Sequence, residues 1–574
     1  MKTTARTIPV LKILAVAAVG LLFESNSLVA QTTWNGTGNS WNLAGSWTAG
    51  VPNGATNTFF NVDATPTVNF STLVFPFSAD GAANSITFNP GASSYTFNLG
   101  GRDLTLTNGI TNSSGVTQTF NTSVALAGGF GAVIFNGGSA GTQTVFNNTL
   151  GGFTQFNNSS NAGSATFNNT VGGHTDFFDT SSAQNATINN TLLGFTTFNE
   201  DSSAGDATIV NTGGSTTFND TSGAGTSAIT NNLLGSTTFN DTSSAENAVI
   251  NNLIGATTFN DDSSAGDSTI GNTLLGSTTF NDTSGAGTSE INNLIGGSTT
   301  FNDTSSAENA VINNVVGATT FNDDSSAGDS TILNTLLGTT TFNDTSGAGT
   351  SEINNLLLGS TTFNDTSSAE NAVINNVAGS TEFNDDSSAG DSTILNTLLG
   401  TTTFNDTSGA GTSEINNVGF GSTTFNDNSS AENAEINNSV FSSTTFNDNS
   451  SAGDSEIDNF LVGKTVFNDN STAGTAHIDN FLVGKTVFND NSTAGDADIH
   501  NFLIGKTVFN DNSSAGTAHI DNFLLGKTVF KDYSTAGDAD IDNFLLGKTV
   551  FKDYSTAGTA HIDNFLLGET IFKD

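Results

Sequence analysis

The chain has 574 residues, of which 54 are Asp or Glu and only 12 are Lys or Arg, with no cysteine and a formal net charge of −42 at pH 7. Polyanionic partners need clustered cations, so this balance excludes DNA, RNA and anionic membrane surfaces, and a cysteine-free chain cannot be held by disulfides. Cations, cationic partners and neutral surface glycans remain open to it.

Residues 1–30 read as an export signal. Lys2, Arg6 and Lys12 precede an apolar run from Ile13 to Phe23, and a polar stretch ends at Ala30. The apolar run of 11 residues is too short to span a bilayer, so the mature chain is expected without a membrane span, secreted or held at the cell surface.

Residues 31–145 hold all three tryptophans, Trp34, Trp41 and Trp47, and four of the five prolines. Short alternating runs such as Ser85-Ile86-Thr87-Phe88 and Tyr95-Thr96-Phe97-Asn98-Leu99 lie between Gly, Asn and Pro, the pattern of strands and turns. This non-repeating β-rich segment is expected to cap the downstream repeats, since a repeat array exposes an unpaired edge at each end.

From residue 146 to 574 the chain repeats. Phe198, Phe218, Phe239, Phe259, Phe280 and Phe301 begin a series spaced by 20 or 21 residues that runs to Phe572, a period that marks a solenoid. A half-period lies beneath it: Phe146, Phe156, Phe167, Phe177, Ile188, Phe198 and Ile209 are separated by 9 to 11 residues. Alternation places Thr237 and Phe239 on one face of a first strand, and Ala248, Ile250 and Asn252 on one face of a second. The connecting Asn-Asp-Thr-Ser-Ser and Leu-Leu-Gly segments are read as turns. The expected fold is all-β: a flattened, right-handed parallel β-helix (β-solenoid) with two strands per coil of 20–21 residues, right-handed because parallel crossovers nearly always are. At one strand spacing per coil the rod would be about 100 Å long. Over this period lies a second: Phe239, Phe301, Phe363 and Phe425 are 62 residues apart, and the three-coil blocks between them are nearly identical, as if a three-coil cassette had been duplicated.

Three outward columns could carry chemistry. Asp241, Asp261, Asp282 and Asp303 continue a series that always falls two residues after the Phe. Stacked carboxylates repel, so they should be hydrated, raised in pKa, bound to cations such as calcium, or used to hold the turn by hydrogen bonds to the backbone. In the C-terminal coils His477, Asp498 and His519 alternate in one column, with Asp479, His500 and Asp521 beside them, a set that could sense pH or bind a metal. Lys464, Lys485, Lys506, Lys527 and Lys548 form a third column, expected to relieve the net acidity and to keep an exposed strand from pairing with other chains. Outward Ser/Thr-x-Thr pairs such as Ser236 and Thr238 are similar to those of ice-binding solenoids, although Ala256 and Ala318 interrupt them.

No enzymatic signature emerges: carboxylates are plentiful but unspecific, and no Lys or Arg occurs between Arg102 and Lys464. Neither a catalytic residue nor a cofactor is expected, calcium being the one candidate ligand. Glycan-active enzymes on this fold need a local break in the repeat with converging charges.

At the N-terminus Thr33-Trp34-Asn35-Gly36, Gly45-Ser46-Trp47, Gly50-Val51-Pro52-Asn53 and Leu104-Thr105-Leu106-Thr107-Asn108-Gly109-Ile110 resemble the start of bacterial secreted proteins with autotransporter-associated β-strand repeats. The later Thr-x-Phe-x-Asp-x-Ser-Ser-Ala-Gly units look like repeats of the same group. The resemblance implies a passenger-type solenoid at the cell surface or in the medium, adhesin-like, and brings no functional residues. The chain departs from a full autotransporter in that no translocator barrel comes after the last repeat, and Phe572-Lys573-Asp574 stops in mid-unit, as a truncated or uncapped array would. The expected function is a structural, surface-display or adhesion protein, with a calcium-binding repeat module as the second reading.

Overall fold

The structure, a computed structural model, describes residues 29–36, 40–61, 63, 67–70, 80–124 and 129–573; residues 1–28 of the expected export signal lie outside them. Among the described residues there is no α-helix, and parallel strands stack as a β-solenoid of about 23 turns. Among the described residues no helix is long and apolar enough to cross a membrane.

Each coil of the array contributes one strand to each of two long parallel sheets. In the first, Ser236–Phe239 pairs with Ala256–Phe259 so that Phe239 lies beside Phe259. In the second, Val249–Asn252 pairs with Thr269–Asn272, and Ile250 lies beside Ile270. Alternation then sends Thr237, Phe239, Ala248, Ile250 and Asn252 inward, all fully buried. The Phe rings form one continuous stack, centroids 4.7 Å apart and planes within 5–6° from Phe218 to Phe301. Burying each ring is worth roughly 1.5–3 kcal/mol, repeated once per coil.

A third side, one residue wide, closes the coil. Ser203, Gly223, Ser244 and Ser264 are joined in a parallel ladder of single bridges, flanked by buried Ser243 and Ala245. Two strands per coil is therefore right for the strands, while the cross-section has three sides. Small Ser and Ala line the narrow side and leave the interior to the Phe and Ile columns.

The ladders do not start at residue 146. The first sheet runs back through Ala132–Phe135 and Asp103–Leu106 to Gly81–Ala83, and the second through Gln118–Ser123 and Thr96–Asn98 to Thr67–Asn69. Here the third side widens into a sheet of Ala30–Thr33, Thr56–Phe60, Ser85–Phe88 and Ile110–Asn112. The described residues of 31–145 thus wind on the same axis, without a visible period because their core residues are unequally spaced. Phe60 and Phe88 are 28 residues apart, and Phe97 and Phe120 are 23. Over the first coil Trp34, Trp41 and Trp47 pack edge to face at 4.9–5.0 Å and stack on Phe60 and Phe70, closing the core at that end.

Beside the aromatic stack runs a buried polar one. Asn252 donates from Nδ2 to Asn272 Oδ1 at 2.8 Å and to the Ser277 carbonyl at 3.0 Å, while its own Oδ1 accepts the Thr257 hydroxyl at 3.0 Å. The same links carry an asparagine column from Asn148 to Asn564. An amide has both donor and acceptor, so it can bond to its own copy one strand spacing away without end.

The three-coil cassette has a packing reason. Where the third side carries Gly, at Gly223, Gly285, Gly347 and Gly409, the next coil folds the Glu246, Glu308, Glu370 or Glu432 carboxylate over it, 2.1–2.5 Å from where a Cβ would stand. The other two coils of the block carry Ser on the third side, Ser244 ahead of Glu246 and Ser264 ahead of Gly266. The third interface is also specific: the hydroxyls of Thr288, Thr350 and Thr412 donate to Asp267, Asp329 and Asp391 of the coil before. Duplicating three coils at once preserves every such pair.

Asn438 accepts from Asn417 Nδ2 at 3.0 Å and Thr444 Oγ1 at 2.9 Å, and donates to Asn459 at 3.1 Å. Asn438→Ala leaves these buried groups unpaired, at about 1–3 kcal/mol each. Hydrogen exchange should accelerate by tenfold or more in the coils around residues 417–465 and stay unchanged beyond Phe509, because a solenoid couples only neighbours. Uniform acceleration along the rod would contradict this.

Candidate functional site

The outward surface is divided among the corners and faces of the coil. At the first corner Asp241, Asp261, Asp282 and Asp303 sit at φ of 56–57°, a left-handed conformation that Asp tolerates through its short polar side chain. The Asp241 N–H donates to Asp261 Oδ2 at 3.1 Å, Asp261 to Asp282 at 3.2 Å, and Asp282 to Asp303 at 3.1 Å. One oxygen of each stacked carboxylate is thereby engaged by the backbone of the preceding coil, the turn-holding arrangement.

The second corner, between the third side and the Ile-bearing strand, carries Glu246, Asp267 and their copies. The third corner, Leu-Leu-Gly at 192–194, 233–235, 274–276, 336–338, 357–359 and 398–400 and otherwise built from Gly, Ala, Val, Ile, Phe, Leu or Ser, holds no charged residue in any coil from Thr191 to Gly463. Read from sequence only as turns, these segments expose their side chains: Leu193 is 78%, Leu234 85%, Leu358 73% and Leu399 70% accessible. Leu193, Leu234 and Leu358 also hold φ of 68–73°.

The lysines lie along the outer face of the Phe-bearing sheet, Lys464 beside Lys485 and Lys485 beside Lys506. Those strands are paired on both sides, so the expectation that the lysines guard an exposed strand is corrected: they stack on the outer face of strands in the middle of the sheet. Burial, and then neighbouring lysines, hold the Lys485, Lys506 and Lys527 ammonium groups below the usual lysine range. Beside them the outward Val487, Val508 and Val529 are 3–5% accessible and form a second apolar cluster.

The His and Asp residues stand on the outer face of the Ile-bearing sheet. His477 and Asp479 on the strand His477–Asn480 face Asp498 and His500 on Asp498–Leu503 in register. His500 Nδ1 is 2.9 Å and His477 Nε2 3.3 Å from Asp479 Oδ1. On the other side His500 Nε2 is 3.3 Å from Asp498 Oδ1 and His477 Nδ1 3.5 Å from Asp498 Oδ2. The column His477, Asp498, His519 is thus not one cluster. His519 is two coils from His477 and groups with Asp521 and Asp542, whereas His477 and Asp498 group with His500, each set having ligand atoms within 4.8 Å. Reading one column at a time concealed this, since the contacts run diagonally between columns.

No protein-family model matches the chain, and no curated protein matches it. Among solved structures, the crystal structure of a TibC-catalysed hyper-glycosylated TibA fragment is similar at 15% identity, covering 68% of this chain and 97% of that one, with a TM-score of 0.17. So loose a superposition carries no argument about family or function.

Electrostatics on the His–Asp face favour protonation. The Asp458 carboxyl is pushed up to about 6 by burial and then by Asp479, Glu456 and Glu435, against the pull of His477. The hydrogen bond to Asp479 raises His500 above the ordinary histidine value, against burial and with help from Asp498 and Asp521. Both shifts leave the folded chain holding more protons than the unfolded one, so stability falls as pH rises. The Asp458 contribution is complete below about pH 4, its ordinary value, and lost through about 6. That of His500 is complete below about 6.5 and lost as pH rises through its higher folded value. Circular dichroism melts should therefore show the chain stabilised on going from about pH 8 to about pH 5. Asp458→Asn should raise the melting temperature at pH 7.5 and flatten that dependence; an unchanged slope would count against this assignment.

Proposed function

We propose that this chain is an exported structural rod that coats or adheres at the cell surface, assembling side by side through its uncharged corner and carrying no catalytic site. One observation carries the proposal. Leu, Ile, Val and Phe occupy left-handed positions at the exposed corner, among them Leu193, Leu234, Val316, Leu358, Phe420 and Phe441. A branched or bulky side chain there costs roughly 1–2 kcal/mol that Gly or Asn would avoid, and the apolar surface is left in water. Backbone strain of this kind, repeated along the rod, supports use of the side chains for contact.

The occupant we assign to this edge is a second copy of the chain. Another solenoid repeats at the same strand spacing, so its corner can meet this one coil for coil, while the acidic corners of both copies stay in solvent. At roughly 60–120 Å² of apolar surface for each such side chain, about ten coils supply the ~800 Å² per partner of a stable interface. The resemblance of the N-terminal motifs to autotransporter-associated repeats supports export and a passenger-type role. Calcium capture by Asp241, Asp261, Asp282 and Asp303 is the second reading; the backbone N–H on these carboxylates supports turn-holding instead.

Sedimentation velocity of the mature chain should show concentration-dependent dimers or larger bundles at micromolar concentration. Replacing Leu193, Leu234, Leu336, Leu358 and Leu398 by Asn, which tolerates the left-handed corner, should give a monomer whose melting temperature is kept or raised. A monomeric parent would overturn the pairing, and flotation of that monomer with neutral vesicles would assign the edge to lipid. Heat on calcium titration with a rise in melting temperature would favour the cation reading.

A further inference from the structure

In an array of near-copies, a specific site requires an exception, and the His–Asp face contains one. The residues flanking the buried Ile are His-x-Asp at 477–479, 519–521 and 561–563, Glu-x-Asp at 456–458 and Asp-x-Asp at 540–542; only at 498–500 is the order Asp-x-His. The inversion turns parallel columns into a checkerboard, with His477 and His500 on one diagonal and Asp479 and Asp498 on the other. The two imidazoles come within 4.8 Å, nearly perpendicular at 73°.

We propose that His477, Asp498 and His500 form a binding site for a zinc-class divalent cation, with Asp479 as the positioning residue. Asp479 Oδ1 stands behind both rings, 2.9 Å from His500 Nδ1 and 3.3 Å from His477 Nε2. A proton on each of those nitrogens fixes both tautomers and turns the lone pairs of His500 Nε2 and His477 Nδ1 toward Asp498, the carboxylate–histidine–metal arrangement. Asp498 Oδ1 is shielded from solvent and has no hydrogen-bond partner, and His500 Nε2 faces it at 3.3 Å. With Nε2 protonated the contact is an ion pair; a metal ion taking the place of that proton bridges the same two atoms.

The spacing fits a metal. Tetrahedral ligands at about 2.0–2.1 Å from zinc stand roughly 3.3–3.4 Å apart, against 3.3 Å and 3.5 Å from Asp498 to the two facing nitrogens. Two imidazoles with one carboxylate favour zinc and its late transition-metal neighbours over calcium or magnesium, which prefer all-oxygen shells. Three protein ligands leave a fourth position for water. The second grouping, His519 with Asp521 and Asp542, has one imidazole and lacks a carboxylate shared behind two rings. The site is independent of side-by-side assembly, and its variants leave the apolar corner untouched.

The test is calorimetric titration of the full mature chain with zinc chloride at pH 7.5, in the presence of millimolar calcium to occupy exposed carboxylates. One tight zinc per chain is expected. His500→Asn, which places at this position the residue found at Asn416 and Asn437 in earlier coils, should weaken that site at least a hundredfold. Asp479→Asn should weaken it about 10–100-fold, while His519→Asn should leave it unchanged. Circular dichroism of each variant checks that the solenoid is intact. The site is refuted if the parent takes up no zinc above calcium, if His500→Asn binds as the parent does, or if His519→Asn loses the tight site.

Discussion

The controlling constraint is translation: each coil lies one strand spacing from the last, so every side chain must be compatible with the residue directly above and below it. Phenylalanine meets this by stacking, at 4.7 Å between centroids over most of the array. Asparagine meets it by bonding amide to amide, as from Asn334 to Asn355 at 2.8 Å. Both interactions are satisfied by identical neighbours, so the core can be extended without redesign. The buried asparagines also penalise slippage of register, because a displaced amide would meet Ile or Ala instead of another amide.

Charged residues do not meet the constraint so easily, and the surface shows three different solutions. The Asp241 series lends each carboxylate to a backbone N–H of the adjacent coil. The second corner avoids direct repetition, alternating Glu246, Asp267 and Thr288 over three coils, so that a hydroxyl or a glycine lies next to each acid. The C-terminal coils insert imidazoles between carboxylates. The three-coil cassette and the His–Asp checkerboard are therefore answers to the same problem, and a chain of net charge −42 can stack because few of its acids lie directly over an unrelieved acid.

Much of this was legible in the sequence because the constraint writes itself as a period. The Phe and Ile columns, the inward placement of Asn252 and the outward placement of Asp241 come directly from spacing and alternation. Three features were not legible, for separate reasons. The third side is a single residue per coil, too short for alternation to register, and Ser244 reads as part of a turn. The early coils wind on the same axis, but their loops vary in length, so Phe60, Phe88, Phe97 and Phe120 show no period. The Leu-Leu-Gly corner was read as a turn by its glycine, although its leucines belong to no core; the missing signal was that Leu234 has no inward neighbour in the alternation.

Uniformity and exception then divide the functional surface between them. A feature repeated in every coil can only make an extended edge, whose strength grows with the number of coils and whose natural counterpart has the same repeat. The apolar corner is of this kind, and its segregation from both acidic corners lets two highly acidic rods approach without bringing their charges together. A point site needs a position where copying fails. His500 is such a position: its alternation with the neighbouring strands is inverted, its ring is held by Asp479 at 2.9 Å, and no packing demand requires histidine there, since Asp479 and Asp521 occupy the equivalent places in the coils on either side and Asn437 in an earlier one.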